Sequence, residues 1–172
     1  MAYIDDGQMK GLEHIQRIRD YLDYLEEHIK NVQRAFNELT VKCDGTWWVG
    51  DDEAWHTLRA EVIHHDLSKF SGTEFIAYRQ KFFPVAGEDA QDDIFERAWE
   101  NHKLENHHHH ESVRNYLDVV HMIIDWTAMG YKFGDTAQEY YEKNKSRIKI
   151  TEGQVNLMKE IFNKISYFDL AS

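Results

Sequence analysis

Three features of the sequence predict an all-α fold. Proline occurs once and glycine nine times in 172 residues, so few positions break a helix. Apolar residues recur at steps of three and four over long stretches, the period of a helix face. No run alternates apolar and polar residues as a half-buried strand does. The length suits one domain over residues 1–172, a bundle of about six or seven helices around one core.

Leu12, Ile15, Ile18, Leu22, Leu25, Ile29, Val32, Phe36 and Leu39 predict one long helix from about Asp5 to Leu39 with a single apolar stripe. Cys43 to Gly50 reads as a connection, in which one of Trp47 and Trp48 covers the core. Asp51, Asp52 and Glu53 place acids where a helix N-terminus favours them. Trp55, Leu58, Val62 and His65 then carry a second helix to about Lys69. Ser71 and Glu74 have capping-box spacing ahead of a helix through Phe75, Tyr78 and Phe82, closed by Pro84. Asp92 and Asp93 open a fourth helix bearing Ile94, Phe95, Ala98, Trp99 and His102, interrupted at Asn106–His110. A fifth runs through Val113, Leu117, Val120, Ile124 and Met129. A C-terminal helical extension covers about 136–168, its last helix opened by a Thr151/Gln154 capping box.

The charge excludes one class of partner. With 20 Lys+Arg against 31 Asp+Glu the net charge is -11, which does not suit a groove that tracks duplex nucleic acid. The single cysteine, Cys43, excludes an internal disulfide and a Cys-rich zinc module. No run approaches the roughly 18 apolar residues of a membrane span, and the first residues lack the layout of a signal peptide, which points to the cytoplasm.

Eleven histidines are the anomaly. His28 lies on the inner face of the first helix, where a lone histidine is more often a satisfied core residue than a ligand. His65 continues the apolar stripe of the second helix and is followed by Asp66, a carboxylate that is costly to bury unpaired. His102 sits on the stripe of the fourth helix. His107, His108, His109 and His110 form a run that by itself reads as a solvated loop. Asp125 lies between Ile124 and Trp126, with His121 one turn earlier on the same face. Imidazole and carboxylate donors suit Mn, Fe, Co, Ni or Zn, and helical bundles build such sites from inward side chains of several helices.

The order His28, His65–Asp66, His102, His108/His109, Asp125 resembles the HD-domain superfamily of metal-dependent phosphohydrolases. It is most similar to an HD-like family spread among bacteria and their phages, on five segments within residues 28–126. They are His28-Ile29-Lys30-Asn31-Val32, His65 to Phe70, Glu74-Phe75, Ala98-Trp99 through His109, and Asp125-Trp126. The resemblance implies a metal site in the core with one or two divalent transition metals. His28, His65, Asp66 and Asp125 would hold one; Asp66 would bridge to a second held by His102 and His108, with His109 as neighbour or further ligand. It implies a metal-activated water attacking phosphorus in a small phosphorylated metabolite, a nucleotide by preference, in a bacterial or phage-infected cell. The signature of the cyclic-dinucleotide branch is missing, so that activity is not carried over.

Lys69, three residues beyond Asp66, is placed to meet a substrate phosphate if the helix persists that far. Arg79 and Asn106 are further substrate-binding candidates, although surface charge suits Arg79 and a turn cap suits Asn106 equally. Asn31 can orient His28 from outside the ligand shell. His121 stands where the family leads one to expect an acid, and its role as a supporting residue is open. Two other readings compete: a di-iron HD-fold oxygenase, and a metal-containing protein without catalysis that binds a nucleotide or docks on a host protein. A homodimer is left open.

Overall fold

The computed structural model describes residues 6–43, 51–89 and 91–171, with side chains over 7–43, 51–89 and 91–166. Among these residues every regular element is helical. In chain order they are α1 (Asp6–Lys42), α2 (Asp52–Ile63), a 3₁₀ turn (Leu67–Phe70), α3 (Phe75–Phe82), α4 (Asp92–Glu105), α5 (Tyr116–Phe133), α6 (Ala137–Asn144) and α7 (Glu152–Ala171). The all-α expectation holds. Trp47 and Trp48 fall outside the described residues. No described helix is long and apolar enough to cross a membrane.

The chain divides into two compact units. The first comprises residues 1–27 and 66–105, the second residues 28–65 and 106–172, so the division falls within α1.

In the first unit Tyr21 and Leu25 of α1 pack with Ala77 and Tyr78 of α3 and Ala98 of α4, bordered by Phe75, Phe83, Phe95 and Trp99. The apolar stripe expected along all of α1 is not buried throughout: Leu12, Ile15, Ile18 and Leu22 are exposed. Each step of three residues falls short of a full turn by about 60°. Leu12 and Ile15 therefore lie well round the helix from the face that carries Tyr21 and Leu25.

Two predicted elements are corrected. The second helix stops at Ile63 rather than Lys69. Asp66 adopts a left-handed backbone (φ 59°), a conformation that ends a helix and that aspartate tolerates better than most residues. Glu74 does not reach back to cap α3; no side-chain cap bond forms there, and its carboxylate turns inward instead.

In the second unit α5 is the central element. Every residue from Asp118 to Trp126 is buried, the polar Asp118, His121 and Asp125 included. Val119, Val120, Met122, Ile123 and Ile124 pack with Val32, Phe36 and Leu39 of α1, Leu58 and Val62 of α2, and Met158, Ile161 and Phe162 of α7. Its start is set by a capping box in which Asn115 accepts from the Asp118 N–H and Asp118 accepts from the Asn115 N–H. Thr151 and Gln154 form the predicted box ahead of α7. Gly130 lets two backbone segments touch: a Cβ there would lie 2.0 Å from the Asp135 carbonyl oxygen.

Gly130→Ala should therefore cost about 1–3 kcal/mol of stability, because backbone is slow to yield. Gly11→Ala, on α1 with nothing within 4 Å of the new methyl, should gain about 0.5–1 kcal/mol from helix propensity. Urea unfolding of the two variants checks both signs. In the first unit the Arg79 hydrogen bonds hold the Glu88 carboxyl down at about 2, against desolvation and with help from Val85 N–H and Gln80. This carboxylate is stabilising above its ordinary value near 4.5, and the contribution disappears as pH falls toward 2. Glu88→Gln should flatten that limb of the stability–pH curve and lower the plateau above it.

Candidate functional site

The predicted ligands fall in both units. His28, His65, His108, His109 and Asp125 belong to the second, Asp66 and His102 to the first.

In the second unit α1 presents His28, the turn after α2 presents His65, and α5 presents Asp125. All three are buried or nearly so. His28 Nε2 lies 3.0 Å from His65 Nε2. Asp125 Oδ1 lies 3.3 Å from His28 Nε2 and 3.5 Å from His65 Nε2. Burial alone would raise the Asp125 carboxyl, but the imidazoles of His28, His65 and His108 outweigh it and hold the carboxyl well below the usual range.

The other nitrogen of His65 is also committed: Nδ1 lies 3.0 Å from His121 Nε2. His121 Nδ1 in turn lies 3.8 Å from Glu61 Oε2, an ion-pair separation rather than a hydrogen bond. Burial, with Asp118 adding to it, raises the Glu61 carboxyl against the pull of His108. With His65 Nδ1–H donating to His121, a neutral His65 offers only a lone pair at Nε2. His28 has one proton at most for its Nε2, and it cannot serve both His65 and Asp125 fully. At most one proton is thus shared among three atoms that converge on one point.

That convergence fits a metal ion. Two donors each about 2.1 Å from one ion lie roughly 3.0 Å apart at a right angle and roughly 3.4 Å apart at the tetrahedral angle. The observed separations of 3.0, 3.3 and 3.5 Å span that range. The set His28, His65 and Asp125 is one of the groups whose donor atoms lie within 4.8 Å of one another; His65, His108 and His121 form another. Three protein donors leave further positions open, as catalytic rather than structural sites do.

The histidine run resolves unequally. His108 is buried, with its ring centroid 4.3 Å from that of His65 and 4.6 Å from that of His121. His109 is half-buried, 4.3 Å from His108 between ring centroids. His110 Nδ1 accepts from the Lys149 N–H at 3.2 Å. Asn106 is half-buried and its carbonyl accepts from Ser112 Oγ. Asn31 is half-buried and makes no hydrogen bond to His28, so the structure gives it no orienting contact.

In the first unit Asp66 and His102 are buried together, with His102 Nε2 3.2 Å from Asp66 Oδ1. Lys69 is brought back by the 3₁₀ turn, not by a continued helix, and its Nζ donates to Asp66 Oδ2 at 2.6 Å. His102 Nδ1 meets Glu74 Oε2 at 2.9 Å. Desolvation lowers the His102 pKa, but Asp66 and Glu74 more than compensate and raise it. Burial, with Asp66 and Glu74 near, pushes the phenols of Tyr21 and Tyr78 up, so both stay neutral. Trp99 stacks on His102 at 5.7 Å between centroids.

Arg79 is neither a surface cation nor directed to a ligand. It is buried, and both terminal nitrogens bind the Glu88 carboxylate while one also donates to the Phe83 carbonyl. A guanidinium so committed is not available to a phosphate. Glu61, Glu74, Ser68 and Asn101 are polar partners of the predicted ligands that the sequence did not single out. Glu74 and Ser68 had a signal, their place in the segments that carry the resemblance, and capping-box spacing disguised Glu74. A cavity of about 330 Å³ in the second unit, lined by Lys42, Tyr131 and Phe162 among others, contains none of the predicted site residues.

The fold and the His/Asp centre define an all-helical protein with a metal-competent core. The chain belongs to a family of unknown function (DUF5662), whose model matches residues 17–168. No curated protein and no solved structure matches it.

His121→Ala removes the 3.0 Å partner of His65 Nδ1. Cobalt(II) titration followed by visible absorption should show affinity reduced by about 10–100-fold, with the protein still folded. Unchanged affinity would separate His121 from the centre.

Proposed function

We propose that the protein is a metal-dependent phosphohydrolase acting on a small phosphorylated substrate, by preference a nucleotide, with His28, His65 and Asp125 holding a divalent transition metal. The observation that carries the reading is the meeting of His28 Nε2, His65 Nε2 and Asp125 Oδ1 within 3.5 Å of one another. The HD-like order of motifs supports the reaction class. When bound, such an ion supplies Lewis acidity, lowering the pKa of a water and neutralising phosphoryl charge.

The chain's own residues set the conditions for that chemistry. Asp125 contributes the anionic donor and balances charge in an apolar helix. His121 keeps His65 in the tautomer that exposes Nε2. The His108 ring lies 4.3 Å from that of His65, tilted by 32°. Lys69, in the first unit, donates to Asp66 Oδ2 at 2.6 Å. The net charge of -11 does not oppose an anionic substrate, because a bound ion supplies positive potential locally.

The test is metal analysis of the purified chain combined with phosphate release from a panel of mono-, di- and triphosphate esters. Wild type should retain a divalent metal and release phosphate from at least one member. Asp125→Ala should lose both. Metal with oxygen uptake and no phosphate release would replace this reading with the oxygenase, and metal with tight nucleotide binding but no turnover would replace it with a binding protein.

A further inference from the structure

Glu74 is fully buried, and no water-facing role explains it. A carboxylate in such a place is costly unless its oxygens are satisfied. Here they are: Oε1 accepts from Asn101 Nδ2 at 2.7 Å, and Oε2 accepts from Ser68 Oγ at 2.9 Å and faces His102 Nδ1 at 2.9 Å. The three partners come from the 3₁₀ turn and from consecutive positions of α4, so the carboxylate is clamped in one orientation.

An ionised carboxylate can only accept. The adjacent His102 Nδ1 must therefore carry its proton, which it donates to Glu74. The far side of the ring is then decided as well. His102 Nε2 lies 3.2 Å from Asp66 Oδ1, which is also an acceptor, while the other Asp66 oxygen is held by Lys69. A ring nitrogen and a carboxylate oxygen at that separation need positive charge between them, either a proton on Nε2 or a cation bound by both. The separation also suits two donors about 2.1 Å from a shared ion.

We propose that Glu74 is a positioning residue, which fixes His102 with Nδ1 protonated and so presents Nε2, beside Asp66 Oδ1, to a divalent cation. The inference rests on the metal-dependent reading above and extends it to a pair that shares no donor with His28, His65 and Asp125. A carboxylate behind a ligating histidine fixes the ring's tautomer and orientation and raises its basicity. Ser68 holds the oxygen that faces His102, while Asn101 satisfies the other one.

The experiment uses the full chain labelled with ¹⁵N-histidine and loaded with zinc. Two-bond ¹H–¹⁵N spectra report the state of each ring nitrogen, and His102 is assigned by the signal missing in His102→Gln. Wild type should show His102 protonated at Nδ1 and zinc-bound at Nε2. Glu74→Gln should let His102 sample both tautomers and weaken this zinc equivalent by about 10–100-fold in a competition titration, leaving the Asp125-dependent equivalent in place. Asn101→Ala removes a different bond to the same carboxylate and should leave the tautomer as in wild type, which separates positioning from loss of stability. Zinc on His102 Nδ1, or a Glu74→Gln protein with wild-type tautomer and affinity, overturns the role of Glu74. Zinc bound only through Asp125, with His102 unchanged on loading, overturns this inference and spares the proposed function. No zinc in wild type overturns both. The wild-type spectrum decides the tautomer even if Glu74→Gln does not fold.

Discussion

An ionised carboxylate inside an apolar helix is the constraint around which the second unit is arranged. Asp125 sits on α5, a helix buried from Asp118 to Trp126. It has no solvent face to turn toward, so positive or hydrogen-bonding partners have to come to it. His28 of α1 and His65 after α2 do so at 3.3 and 3.5 Å. Those imidazoles are themselves buried, and the same logic brings His121 and Glu61 behind His65. One buried charge is thus met by a series of polar groups that ends at the more exposed Glu61.

The first unit solves a similar problem with a different balance. Asp66 and Glu74 are both buried carboxylates, and Lys69 and His102 supply the matching positive charge or donors. Aromatic rings surround this polar knot: Tyr78 and Trp99 lie 5.6 and 5.7 Å from His102 between centroids. The only positive-φ residue other than glycine among those described is Asp66. A conformation that costs energy persists at a position where side-chain placement matters. Breaking the helix there turns Lys69 onto the carboxylate through a tight 3₁₀ turn.

The element plan was legible because helix period, capping residues and breakers act over a few residues. The Thr151/Gln154 box, the acidic starts of α2 and α4, and the inward placement of His28, His65, His102 and Asp125 all followed from local spacing. The errors have a common origin. Ser71 and Glu74 satisfy a capping rule, yet three donors from elsewhere in the first unit outcompete the backbone for that carboxylate. Arg79 looked like a surface or ligand cation because Glu88, nine residues on, gave no sign of folding back over it. The helix through His65 to Lys69 was extrapolated from an apolar stripe, and the left-handed turn at Asp66 lies outside what periodicity encodes.

Sequence alone therefore determined the fold class and the residue types available for a metal, because both depend on composition and short-range pattern. Which nitrogen faces which oxygen was decided only by tertiary structure. Separations near 3 Å between residues such as His65 and His121 depend on helix packing and ring rotation, and no local rule carries that information along the chain.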